Sequence, residues 1–136
     1  MKIYLASSFA NKELVQELAN ELEQEGHKIT TEWWHTDFKK TIFKPDAEWY
    51  ADEKILAISQ RNFNGIREAD ALILVANQTP VKYNGANIEL GFALALNKQC
   101  FSIGYLERSA MYVPVIQCKT KTELLSRLKK LSPLHD

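Results

Sequence analysis

The run ALILVA at residues 71–76 constrains this 136-residue chain more than any other segment. Apolar residues follow one another there with no polar alternation. That pattern belongs to a strand covered on both faces, as in a parallel sheet held between two layers of helices. The flanking segments agree. Lys2 to Ala6 (KIYLA) reads as a second buried strand, with a turn at Ser7, Ser8 and Phe9. From Asn11 the spacing becomes helical through Leu14, Val15, Leu18 and Leu22, and Gly26 marks its end. His27 to Trp33 reads as a less apolar strand, and Trp34 to Pro45 as an irregular aromatic loop. Asp46 to Glu68 is a long helical segment that Asp46 would cap, unless Pro45 leaves a break and a second start near Ala51.

Beyond the central strand come a loop at 77–84, a helix at 85–97 and a strand at Gln99–Ile103. A short strand is expected at Tyr112–Ile116 and an amphipathic helix at Thr120–Leu131, with Leu124, Leu125, Leu128 and Leu131 on its stripe. Strand and helix alternate at this spacing in α/β proteins. The expectation is a single three-layer, flavodoxin/Rossmann-like domain over residues 1–136, its five-stranded parallel sheet in the order 2-1-3-4-5. The order reverses between the first and third strands, and a ligand crevice opens beyond the carboxyl ends at such a point. Ser7–Phe9, Asn77–Gly85 and the start of the next helix converge on it.

Charge narrows the ligand. Seventeen basic residues balance 17 acidic ones, so no field gathers a nucleic acid polymer. A small anion needs only a local nest of backbone N–H groups and stays open. Cys100 and Cys118 fit no metal or redox spacing and read as buried thiols. His27, His35 and His135 form no ligand motif, so neither a metal nor a cofactor is expected. The start reads as no leader peptide and no run is long enough to span a bilayer, which implies no membrane partner and a cytoplasmic setting.

Glu89, in NGANIELGFALAL, carries the chemical argument. It falls near the start of the helix after the central strand, facing the predicted crevice among apolar neighbours. There the helix N-terminus favours the charged form, which a carboxylate nucleophile requires. The competing reading is a glutamate that only balances the helix dipole. Gly85 would let backbone approach a ligand, and Gly91 would let the helix pack closely on the sheet. Ser7 and Ser8 either hold a phosphate or sugar hydroxyl or cap the first helix. Tyr4 points either into the sheet or along it. Trp33, Trp34, Phe38, Phe43, Trp49 and Tyr50 form an aromatic cluster, mostly read as a small core, with Trp33 and Trp34 as candidates to stack on a base. Asp37 and Asp46 have no assigned role.

KIYLASSF at 2–9, NFNGIREADALILV at 62–75 and NGANIELGFALALNKQ at 84–99 together resemble the nucleoside 2-deoxyribosyltransferase superfamily. That resemblance implies a glutamate nucleophile at Glu89, attack on the anomeric carbon of a sugar, and departure of the base. Water or a second base resolves the covalent glycosyl-enzyme. A nucleoside or nucleoside 5′-monophosphate is the implied substrate, with hydrolysis slightly preferred to transfer of the sugar to a second base. Asn62 stands where the family carries an aspartate that assists the leaving base, and an amide cannot act as that acid. Tyr83, beside Asn84, stands where transferases carry aspartate and monophosphate hydrolases a serine. These departures motivate a rival reading, a catalytically weak nucleotide-binding sensor or interaction domain. The resemblance also implies a homodimer or higher homo-oligomer, with residues 46–68 and 85–97 as interface helices.

Overall fold

The computed structural model describes residues 1–36, 44–76 and 83–131. Phe38, Phe43, Asp37, His135 and most of the loop at 77–84 therefore lie outside the described residues. The sheet has five parallel strands: β1 (Lys2–Ala6), β2 (Lys28–Ile29), β3 (Ala71–Val75), β4 (Gln99–Ile103) and β5 (Ile116–Cys118). Their order is β2-β1-β3-β4-β5, the expected reversal between β1 and β3 included. The register pairs Ile3 with Ala71 and Tyr4 with Leu72, and Ala71 with Gln99 on the other edge of β3. Leu72, Ile73 and Leu74 of β3 are buried, as the unbroken apolar run required. Each side chain of that size contributes roughly 1.5–3 kcal/mol on burial.

Helices cover both faces, giving the three-layer α/β architecture. α3 (Glu53–Glu68) and α4 (Asn84–Ala95) pack on one side, against β1 and β3 and against each other. α1 (Lys12–Gln24) and α5 (Lys121–Leu131) pack against opposite ends of the sheet and are bridged by Lys121 to Glu21, 2.7 Å apart. α1 buries Val15, Leu18 and Leu22 and stops at Gly26, whose φ of 93° only glycine adopts freely.

Three segments depart from the sequence reading, and the 46–68 segment takes the second of its two alternatives, a break with a new start near Ala51. The second strand is only Lys28–Ile29, because the chain turns into a 3-10 helix at Trp33–His35. The 46–68 segment is two helices: α2 (Asp46–Tyr50) ends at Ala51 and Asp52 starts α3, its carboxylate accepting from the Lys54 N–H at 2.8 Å. Asp46 is inside α2 and makes no cap bond. The fifth strand begins at Ile116, later than expected, since Ala110–Tyr112 form a 3-10 turn. Gly91 makes no close packing with the sheet; a Cβ there would meet open space. The tight glycine is Gly65, where a Cβ would lie 2.0 Å from Thr31 Oγ1.

Candidate active site

A cavity of about 280 Å³ opens at the carboxyl ends of β1 and β3, at the reversal of strand order. Its wall comes from the turn after β1 (Ser7, Ser8, Phe9), the α4 start (Tyr83 to Ala86) and the middle of α3 (Ile58, Arg61, Asn62). Trp33 and Thr36 close one side, and Glu89 lies within it.

Glu89 is the sixth residue of α4, beyond the first turn, where the helix dipole acts. The expectation that the dipole keeps it charged is therefore corrected. Burial pushes its carboxyl from an ordinary 4.5 up to about 7, and the Tyr4 hydroxyl pulls the other way. Tyr4 is fully buried in β1 and donates a short hydrogen bond to Glu89 Oε2. Its phenol is held far toward the neutral form by burial first and by the Glu89 charge second, so it stays a donor. Tyr4 does not border the cavity, so the substrate-binding position expected for it is replaced by a bond to the carboxylate. The carboxyl is thus fixed by a partner that acts most strongly on the anion.

The serines have separate partners. Ser7 Oγ donates to the Val75 carbonyl at 2.6 Å, tying the β1 turn to the end of β3. Ser8 Oγ accepts from the Ala10 N–H at 3.3 Å and caps a 3-10 turn at Phe9–Asn11. Both still border the cavity. Asn11, buried at the entry to α1, donates to Ser7 Oγ and to Tyr83 Oη, each at 3.1 Å. It holds the β1 turn and the α4 start together. The sequence reading missed it because an asparagine at a helix start looks like a cap, yet it makes no cap bond.

The two tryptophans part company. Trp33 borders the cavity, and its indole N–H donates to the Leu5 carbonyl at 2.6 Å. Trp34 is buried against it edge-on, 5.6 Å between ring centroids, and does not reach the cavity, so it offers no stacking face. Trp49 and Tyr50 pack edge-on against each other on α2, Trp49 half-buried and Tyr50 81% exposed, while Phe38 and Phe43 of the expected cluster lie outside the described residues.

Arg61 was not anticipated. Its Nη2 donates to Thr36 Oγ1 at 2.9 Å and to Asn62 Oδ1 at 3.2 Å, and its Nε donates to the same Oδ1 at 3.3 Å. The one signal was a cation directly before Asn62 in the RNFN run. Among the described residues no group of His, Cys, Asp and Glu is placed to hold a metal. Cys100 and Cys118 are buried and free, and burial pushes the Cys100 thiol up to about 11. Among the described residues no helix is long and apolar enough to cross a membrane.

Two solved structures share the architecture. The CMP N-glycosidase BcmB of Clostridium botulinum superposes with a TM-score of 0.59 at 18% identity, covering 95% of this chain and 99% of that one. The 2-deoxyribosyltransferase of Bacillus psychrosaccharolyticus superposes with a TM-score of 0.64 at 20% identity, covering 91% and 90%. At these identities the likeness is one of fold. No curated protein matched the chain. The nucleoside 2-deoxyribosyltransferase family model matches residues 3–124, spanning the sheet, the cavity and Glu89. The chain therefore belongs to the nucleoside 2-deoxyribosyltransferase family, whose chemistry is cleavage or transfer at an N-glycosidic bond.

Proposed function

We propose that this chain cleaves the N-glycosidic bond of a nucleoside or nucleoside 5′-monophosphate and releases the free base, with Glu89 as nucleophile. The observation that carries the reading is the Glu89 carboxyl inside a cavity at the strand reversal, gripped by the Tyr4 hydroxyl. Attack of the carboxylate on the anomeric carbon forms a glycosyl ester as the base departs with the bond's electron pair. Water then cleaves the ester, with retention over the two steps. The N–H groups at the α4 start, beside Asn84 and Gly85, and the Ser8 hydroxyl are suited to a phosphate or sugar hydroxyl. That suits a monophosphate and favours hydrolysis over transfer to a second base. Trp33 and Phe9, 6.3 Å apart between centroids, supply apolar surface for a base.

A 2-fluoro substrate analogue slows the second step more than the first. Intact-protein mass spectrometry is expected to show one glycosyl adduct, and peptide mapping to place it on Glu89. Base release without an adduct would remove the covalent route. The rival reading, a nucleotide-binding domain without turnover, predicts calorimetric binding and no base release across the same panel.

The homo-oligomer expected from the sequence is also proposed. Ile88 on α4 is 63% exposed, Leu96 just beyond its end 40% and Leu56 on α3 55%, which is apolar surface suited to a second copy. Sedimentation velocity should find a dimer or larger species, and a monomer at tens of micromolar would refute it.

A further inference from the structure

Asn11 is buried and polar, does not border the cavity, and has no part in the proposed bond-breaking steps. It stands at the N-cap position of α1, where an asparagine ordinarily accepts a backbone N–H of the first turn. It makes no such bond. Its amide is committed to tertiary contacts, and the helix start forgoes a stabilising cap.

The polarity of those contacts is fixed by the groups that make them. Asn11 Nδ2 has two hydrogens and donates to Ser7 Oγ and to Tyr83 Oη, each at 3.1 Å. Ser7 accepts there and donates its own proton to the Val75 carbonyl at 2.6 Å. Val75 is the last residue of β3, and Tyr83 directly precedes α4. One amide therefore ties both the end of β3, through Ser7, and the start of α4 to the β1 turn. Ser7 and Tyr83 border the cavity, and a single nitrogen sets their separation. Glu89 has a different anchor, the Tyr4 hydroxyl of β1.

We infer that Asn11 is a positioning residue for substrate capture: by bridging Ser7 and Tyr83 it sets the gap between the β1 turn and the α4 start. This rests on the glycosidase reading above for the identity of the substrate. Bound substrate and transition state need the same wall, so the bridge acts alike on both. The nucleophile is aligned separately, from the Tyr4 side. Loss of the bridge then appears in KM and leaves kcat almost unchanged.

The test is a double-mutant cycle of Asn11→Ala and Tyr83→Phe. It is read by free-base release and by calorimetric binding in a Glu89→Gln background, which holds substrate without turnover. The probes are deoxynucleoside and ribonucleoside 5′-monophosphates, and the one bound most tightly enters the cycle. Asn11→Ala is expected to raise KM and Kd by about tenfold, with kcat within about threefold of wild type. The midpoint of the pH–activity profile should stay near 7, because the surroundings of Glu89 are untouched. Tyr83→Phe breaks the same bond from its other end, so the double variant should bind about as weakly as the weaker single one. An unchanged Kd overturns the inference. So does a fall in kcat with a displaced pH midpoint, the result of a general loosening of the site, and so do losses that simply multiply in the double variant. If Asn11→Ala does not fold, Tyr83→Phe carries the test: Kd should rise at least about threefold at an unchanged pH midpoint, and an unchanged Kd again overturns the inference. A wild type that binds these nucleotides and releases no base strikes the glycosidase reading, and the binding arm still decides the role of Asn11. A wild type that neither binds nor releases strikes both.

Discussion

Glu89→Gln is expected to abolish base release, with kcat falling by roughly 10⁴-fold or more, the scale of removing a nucleophile from a unit that works together. The amide keeps the shape and still accepts from Tyr4, so the loss reports chemistry and not collapse of the cavity. Steady-state release of free base checks it, and a variant with full activity ends the assignment. Thermal unfolding supplies an independent readout, because the same carboxyl affects stability. Its folded pKa is raised from 4.5 to about 7 by burial. A raised carboxyl stabilises the fold fully below about pH 4.5, and that contribution is lost as pH climbs through about 7. At pH 8 the wild type carries a partly buried anion that costs about 1–3 kcal/mol after allowance for solvent screening. Glu89→Gln removes it, so its Tm should exceed the wild type's at pH 8 and converge with it near pH 4. The activity of the wild type should rise with pH through about 7 as the nucleophile ionises. A Tm below wild type at pH 8 would show that the charge is compensated in a way this geometry does not contain.

Gly65→Val is expected to be the most damaging single change on the cavity's α3 side. A Cβ at that position lies 2.0 Å from Thr31 Oγ1, 3.1 Å from Thr31 Cβ and 3.2 Å from Thr30 Oγ1. Thr31 is itself buried and β-branched, so it has little freedom to turn away. α3 must move outward, at a cost of about 2–3 kcal/mol for overpacking. That corresponds to a Tm drop of roughly 6–12 °C for a domain of this size. Gly65 lies three and four residues beyond Asn62 and Arg61 on the same helix, so the shift carries both away from the cavity. A displacement near 1 Å is enough for about a hundredfold loss of turnover. Gly65→Ala should lose less, since alanine recovers about 1 kcal/mol of helix propensity. Scanning calorimetry and base release on the two variants check the order. A Gly65→Val protein as stable as wild type would mean that α3 does not lie so close to Thr31.

The family assignment and these predictions start from a few residues whose legibility differed. ALILV could be read directly because an apolar run bounded by turns has one economical use, a strand covered on both faces. Lys2–Ala6 and Gln99–Ile103 were equally plain. With helices between them, they set the fold class and the strand order, and with those the place where Glu89 and the β1 turn meet. The edges were not legible. β2 and β5 are three residues long or shorter, and 3-10 turns beside them claim residues whose composition suits a strand. Their boundaries depend on neighbouring hydrogen bonds and not on periodicity.

Local spacing fixed Glu89 as the residue to watch, because a carboxylate among apolar neighbours on a helix is rare and asks for an explanation. Only the folded arrangement decided its state. Tyr4 lies 85 positions away in the chain, and no periodicity links a β1 phenol to an α4 carboxyl. The same holds for Asn11 with Tyr83 and for Thr36 with Arg61. Pattern along a chain records which face of an element is covered and hence the fold. The partner of a polar group, its ionisation and the donors set around a cavity arise where distant segments meet, and those belong to the tertiary structure.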